Sequence, residues 1–245
     1  MATATLHCHA ELNDFLPAGQ RRRAIVLNFH PPLPIRHLAE TLGIPHTEIA
    51  RVLRNGLPVD LEARVQDGDS FQLYPWLDEA GRRIATDLPD PPRFLADAHL
   101  GKLASYLRLL GFDTRYHNDL GDAALAALAE DEGRILLSRD RKLLMHRRVR
   151  RGCHIRQQRP LEQLRYVLER LPLCPLRQPF TRCLACNGLL ETVRKEQVRD
   201  RLPAAVTRLH DDFWQCTGCG RVYWQGSHWR ALSARVVQVC GEAAD

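Results

Sequence analysis

No stretch of this sequence approaches the roughly 20 apolar residues needed to span a bilayer. Its opening, Met1-Ala-Thr-Ala-Thr-Leu-His-Cys8, lacks the basic segment and long apolar run of a secretory signal. The two absences predict a cytoplasmic protein with no membrane partner. Internal repeats and low-complexity tracts are missing too, which argues against a solenoid or a compositionally biased, unfolded chain. A disulfide framework is not expected in a reducing compartment, so the eight cysteines are read as metal ligands or free thiols. Acidic residues are in modest shortage: 29 Asp and Glu stand against 35 Lys and Arg, a formal net charge of +6. With a pI near 9.0, the excess favours polyanionic partners through counterion release but does not by itself select nucleic acid.

At 245 residues and 44% hydrophobic content, the chain has room for two or three cores. It is punctuated first by Tyr74-Pro-Trp76 and Asp87-Leu-Pro-Asp-Pro-Pro92, then by Leu171-Pro-Leu-Cys-Pro-Leu-Arg-Gln-Pro179. The expected division is a first domain over 1–77, a linker over 78–92, a second domain over 93–175 and a cysteine-bearing third over 176–235.

In that third domain, Cys183-Leu-Ala-Cys186 and Cys216-Thr-Gly-Cys219 form two C-x-x-C knuckles. Four thiolates make a closed tetrahedral Zn²⁺ site with no open position for water, so Cys183, Cys186, Cys216 and Cys219 are expected to fold the tail rather than catalyse. A redox pair is the rival reading for one knuckle, and two knuckles together disfavour it. Cys8, Cys153, Cys174 and Cys240 lack ligand spacing and are read as buried or incidental thiols.

The first domain reads as strands at Thr3–His9 and Ala24–Phe29, a helix over Pro34–Leu42, and further strands around Arg51–Arg54 and Ser70–Tyr74. With Ala10-Glu-Leu-Asn-Asp-Phe-Leu16, Gly43-Ile-Pro-His-Thr-Glu48, Asn55-Gly56 and Asp67-Gly-Asp69, this order resembles the β-grasp (ubiquitin-like) fold of sulfur carriers and of domains preceding certain RNase domains. Sulfur carriers act through a free terminal Gly-Gly. Here the unit runs on through Tyr74-Pro-Trp76 and the chain ends Gly241-Glu-Ala-Ala-Asp245, so docking to a protein partner is expected instead of carrier chemistry.

The second domain alternates strand and helix: Phe94–Ala96, a helix over Leu100–Leu110, Thr114–His117, a helix over Ala123–Glu132, Arg134–Leu137, Cys153–Arg156 and a helix over Leu161–Leu171. That pattern predicts a parallel α/β sheet, whose ligand crevice lies at the strands' C-terminal ends. Asp97 and Asp140 follow strands, and Asp119 and Asp122 lie in the loop after the second strand. Crowded carboxylates suit a hard cation, Mg²⁺ or Mn²⁺, and phosphodiester hydrolysis. The competing roles are a turn for Asp119, a helix N-cap for Asp122 and a cap on the short helix over Lys142–His146 for Asp140. Asp97 is harder to explain structurally, because a carboxylate ending a buried strand costs free energy unless it is paired or metal-bound.

Phe94-Leu-Ala-Asp-Ala-His-Leu-Gly-Lys-Leu-Ala-Ser-Tyr-Leu-Arg-Leu-Leu-Gly-Phe-Asp113 and Ile135-Leu-Leu-Ser-Arg-Asp-Arg-Lys-Leu-Leu144 resemble the Mut-seven C-terminal RNase family, a branch of the PIN-like nucleases. Arg182-Cys-Leu-Ala-Cys-Asn187 and Val222-Tyr-Trp-Gln-Gly-Ser-His228 extend the likeness into a zinc ribbon. The resemblance implies an RNase in which Asp97, Asp122 and Asp140 are catalytic metal ligands; the fourth acidic position of the wider class has only Glu162 as a candidate.

An RNA substrate calls for basic groups nearby. Arg134, Arg139, Arg141, Lys142, Arg147, Arg148, Arg150 and Arg151 form a run broken only by the acid Asp140, and Lys102 and Arg108 lie on the helix after Asp97. Lys102, Arg108, Arg139, Arg141, Lys142, Arg147 and Arg148 are candidate phosphate contacts, with a solvated face as the alternative. Trp224 is assigned to packing, and His228 and Trp229 to stacking on RNA. A non-catalytic RNA-binding or ribosome-associated adaptor is the alternative function, ahead of a sulfur-carrier-related adaptor.

Overall fold

A computed structural model describes the chain except residues 83, 85–89, 172 and 243–245, and except the side chains of Pro175, His228, Arg235, Val237, Cys240 and Glu242. It divides into two compact units, Met1–Asp90 with Leu120–His154, and Pro91–Asp119 with Ile155–Asp245.

The first unit opens with β1 (Ala2–Cys8), β2 (Ala24–Phe29), α1 (Ile35–Thr41), β3 (Arg51–Arg54), β4 (Leu57–Val59) and β5 (Asp69–Tyr74). The strands form one sheet of order β2-β1-β5-β3-β4, with β1 parallel to β5 and the remaining pairs antiparallel. This is the ubiquitin-like arrangement expected. In β1, Ala2, Ala4, Leu6 and Cys8 all turn inward, as the two-residue strand period requires. They meet Ile35, Leu38 and Ala39 of α1 in one core. Burial pushes the Cys8 thiol up to about 11, so it stays protonated and unreactive.

β4 lies outside the strands expected from the sequence. It follows because Asn55 and Gly56 adopt φ 50 and 86, the left-handed pair of a tight hairpin turn that returns the chain along β3. Asp69, 4% exposed, accepts bonds from Gln66 N–H (2.7 Å), Arg54 Nε (2.9 Å) and Asn55 Nδ2 (3.1 Å). Burial opposes its ionisation, but these donors outweigh it and hold the carboxyl below the usual range. Asp69→Ala is therefore expected to cost about 2 kcal/mol in urea unfolding. A carboxyl depressed on folding contributes fully above its unfolded pKa, and the contribution is lost as pH falls through the folded value. The gap between wild type and Asp69→Ala should accordingly close in strong acid.

The rest of this unit is α3 (Asp122–Asp131), β8 (Ile135–Ser138), α4 (Arg141–Leu144) and β9 (Gly152–His154), with β9 parallel to β8. Ile135, Leu136, Leu137 and Ser138 are all buried, the pattern of a strand covered on both faces.

In the second unit β6 (Arg93–Ala96) and β7 (Asp113–Tyr116) pair in parallel around α2 (Gly101–Leu109). α5 (Pro160–Arg170) packs on α2, and α8 (Ser227–Glu242) packs on α5. Between them lie β10 (Leu190–Val193), α6 (Lys195–Val198), α7 (Ala204–Leu209), β11 (Phe213–Cys216) and β12 (Val222–Tyr223), the strands forming an antiparallel sheet β10-β11-β12. Among the described residues no helix is long and apolar enough to cross a membrane.

Candidate active site and metal centre

The four cysteines come together. Each of their sulfurs lies within 4.8 Å of the other three, with Cys183 and Cys219 at 3.7 Å and Cys186 and Cys216 at 3.3 Å. Four sulfurs at about 2.3 Å from a tetrahedral ion stand roughly 3.8 Å apart, so the cluster has the size of a four-thiolate metal site. The backbone is shaped to it. Asn187 takes φ 71, and a Cβ on Gly188 would meet Cys216 Sγ at 2.8 Å, so the first knuckle closes only with glycine there. Cys219 N–H points at Cys216 Sγ (3.4 Å), and Gly220 N–H bonds Cys216 O (3.0 Å). Burial opposes ionisation of Cys183, but hydrogen bonds from Tyr223 and nearby backbone N–H groups outweigh it and bring the thiol to about 6. Burial and the neighbouring sulfurs push Cys186 up to about 12. These four could hold a metal ion such as zinc.

Arg108 sits beneath this cluster. Expected to contact phosphate, it is instead 6% exposed, with Nε donating to Thr114 O (2.8 Å) and Nη1 to Leu184 O and Ala185 O (both 3.0 Å). It is spent on the knuckle's backbone. Asn187 completes the join, accepting from Thr114 N–H (2.9 Å) and donating to Asp113 Oδ1 (2.8 Å). Gly111, at φ 92, lets residue 178 approach; a Cβ there would meet Gln178 O at 2.1 Å.

Asp97 follows β6 and is 6% exposed; its carboxylate accepts from His99 N–H (3.1 Å) at the start of a 3₁₀ turn. Asp140 follows β8, is exposed, and caps α4 through Lys142 N–H (2.7 Å), while its own N–H donates to Ser138 Oγ (2.9 Å). Asp122 is exposed in the first turn of α3, whose N-cap is Gly121, so Asp122 is no cap. Asp119 is exposed near His117 at 3.9 Å, and Glu162 faces Arg159 at 3.6 Å.

The basic run is less one-sided in space than in sequence. The acidic end of α3 supplies Glu130 and Asp131 to Arg148 (2.6 and 3.1 Å), Glu130 to Arg150 (3.5 Å) and Glu132 to Arg134. Lys142 and Arg147 are exposed, Arg139 is half-buried, and Arg141 lies over the Phe15 ring at 5.0 Å. On α2, Lys102 is exposed above Tyr106.

In the tail, Trp229 meets Phe180 edge-on at 4.9 Å, and its buried Nε1 has no partner among the described residues. Tyr223, Trp224, Trp229 and His210 line a cavity of about 550 Å³. A second hollow, lined by Arg201 and Arg221, shares Val222 and Trp224 with it. The His228 side chain lies outside those described.

The chain belongs to the Mut7-C RNAse domain family, whose sequence model matches residues 92–236. The Mut7-C ubiquitin model matches residues 1–80. Membership implies a nuclease-like activity. No curated protein matches the chain. Among solved structures, the small archaeal modifier protein 1 of H. volcanii is similar, with 21% identity over 31% of this chain and 98% of that one and a TM-score of 0.25.

Proposed function

We propose that this chain is a Mg²⁺- or Mn²⁺-dependent ribonuclease in which Asp97, Asp122 and Asp140 hold the cation and RNA is the substrate. The observation that carries the reading is Asp97, a carboxylate kept at 6% exposure at the C-terminal end of a buried strand, inside the segment that matches the RNase family. Three carboxylates offer the oxygen donors that hard cations take. Such a cation would supply an activated water and charge stabilisation at the phosphate.

The protein's own residues do the rest. His99 N–H fixes the Asp97 carboxylate, and Lys142 N–H fixes Asp140 through Oδ1. Lys142, Arg147, Lys102 and Arg139 attract and position phosphates, which sets affinity more than sequence choice. The four cysteines hold structural Zn²⁺ and thereby shape the aromatic cavity and the Arg201–Arg221 hollow, where single-stranded RNA stacks a base and rests a phosphate. A reducing cytoplasm keeps the thiolates available.

The test is cleavage of a labelled single-stranded RNA by zinc-loaded protein, with Mn²⁺ or with EDTA at a level that spares the zinc. Metal-dependent cleavage is the expected result. Salt-sensitive binding that survives EDTA, with no cleavage under either condition, would replace the enzyme with an RNA-binding adaptor.

A further inference from the structure

Within the first unit the ubiquitin-like domain is hydrogen-bonded to the backbone at Val149 and His154 and packs against Arg141, the neighbour of Asp140. A 3₁₀ turn at His46–Glu48 makes two of these bonds. Glu48 is fully buried, and its Oε1 accepts His154 N–H at 2.8 Å, satisfying a donor of β9. His46 lies with Nε2 2.7 Å from Val149 O and Nδ1 2.8 Å from Glu40 Oε1. Phe15 makes the third connection. Its ring packs against His154 with centroids 5.4 Å apart, and the Arg141 guanidinium lies over it at 5.0 Å. His154 in turn donates from Nε2 to Arg139 O at 3.2 Å. The residues on both sides of Asp140 are therefore held, Arg139 by its carbonyl and Arg141 by its side chain.

This matters because α4 cannot hold itself. Four residues lie far below the length at which a helix is stable alone, so tertiary contacts decide where its cap residue points. The approach is close: a Cβ on Gly152 would meet Leu144 Cδ2 of α4 at 2.7 Å and Thr47 Oγ1 of the ubiquitin-like domain at 3.2 Å.

We propose that the ubiquitin-like domain is a built-in clamp that positions the Arg139-Asp140-Arg141 segment for metal binding, with Phe15 and Glu48 as its positioning residues. The proposal rests on the reading of Asp140 as a metal ligand. It assigns the domain a fixed place on the Leu120–His154 segment of its own unit, distinct from a carrier's mobile tail or a recruiter of outside partners. Phe15 and Glu48 touch no RNA in this scheme, and of the residues given to phosphates only Arg139 lies in the held segment, so loosening them lowers the rate more than it weakens substrate affinity.

Hydrogen exchange on the zinc-loaded full chain tests the clamp without reference to activity, and RNA kinetics on the same samples test its consequence. Phe15→Leu keeps an apolar side chain in the core and removes the aromatic face. It is expected to speed exchange in the 138–146 backbone by about tenfold while β1 and β2 stay protected. It should lower kcat by roughly tenfold with KM within about twofold, since small misplacements of a reacting group are costly. Glu48→Ala should act alike. Glu48→Gln, whose amide oxygen still accepts His154 N–H, should restore near wild-type exchange and kcat. If Phe15→Leu also unprotects β1 and β2, Arg141→Gln removes the other partner from an exposed position, and exchange at 138–146 decides. Wild-type exchange there in Phe15→Leu and Arg141→Gln overturns the clamp, as does a rise in KM alone. If wild type cleaves no RNA, the ribonuclease reading falls while the exchange result still decides whether the clamp exists.

Discussion

Removing the metal from the cysteine centre, by chelation or by Cys183→Ser or Cys216→Ser, is expected to unfold the β10-β11-β12 region and to loosen β7 as well. Cys183 and Cys216 are the buried pair of the four, so serine at either leaves a poorly matched hydroxyl inside the site. Structural zinc sites in small domains supply apparent binding free energies of about 10 kcal/mol or more, enough to decide whether the tail folds. The effect travels because the join is made of backbone. Arg108 takes the carbonyls of Leu184 and Ala185, and Asn187 holds Thr114 N–H and Asp113, so an unfolded knuckle orphans a buried guanidinium and the start of β7. Burial already disfavours the charged Arg108. Hydrogen exchange should rise together at 183–223 and 108–116. A rise confined to the tail would mean that the Arg108 bonds contribute little.

The second large effect is expected from the aspartates, and it should be graded. Asp97→Asn keeps the bond from His99 N–H but halves the oxygen donors of a buried group, and should lower kcat about 10³-fold, near 4 kcal/mol of transition-state stabilisation. Asp140→Asn should fall by a similar order; its amide oxygen still caps α4, so thermal stability should hardly change. Asp122 is exposed in the first turn of α3, and Asp122→Asn should cost the least, about tenfold. Single-turnover cleavage with saturating Mn²⁺ measures all three. Equal, small losses at every position would point to general electrostatics in place of metal ligation.

The parts of the fold legible in sequence were those written in local pattern. β2 and β3 fall on the expected residues because alternation and the flanking turns fix them; α2 and α5 fall within a residue or two because apolar spacing and glycine or proline ends bound them. The four cysteines were legible because two C-x-x-C knuckles are a local pattern, and the fold gathers them into a group that could hold a metal ion. What escaped is non-local. Arg108 looks like any helix arginine until carbonyls from residues 184 and 185 arrive beside it. The Arg134–Arg151 run looked unbalanced because Glu130, Asp131 and Glu132 lie just upstream, on the preceding helix. α8 is masked by the aromatic and basic residues at its start, though Leu232, Val236 and Val239 follow Trp229 at helical spacing. Glu48, His46 and Phe15 lie in segments that carry only the β-grasp likeness; their further role exists only once β9 and α4 lie against them.

The most direct test of the metal-ligand assignment is Mn²⁺ binding by electron paramagnetic resonance, on zinc-loaded full chain, in wild type and in Asp97→Asn/Asp140→Asn. Saturable Mn²⁺ uptake by wild type, lost in the double variant while the zinc content stays constant, is the predicted result. Undiminished Mn²⁺ binding by the double variant would contradict it.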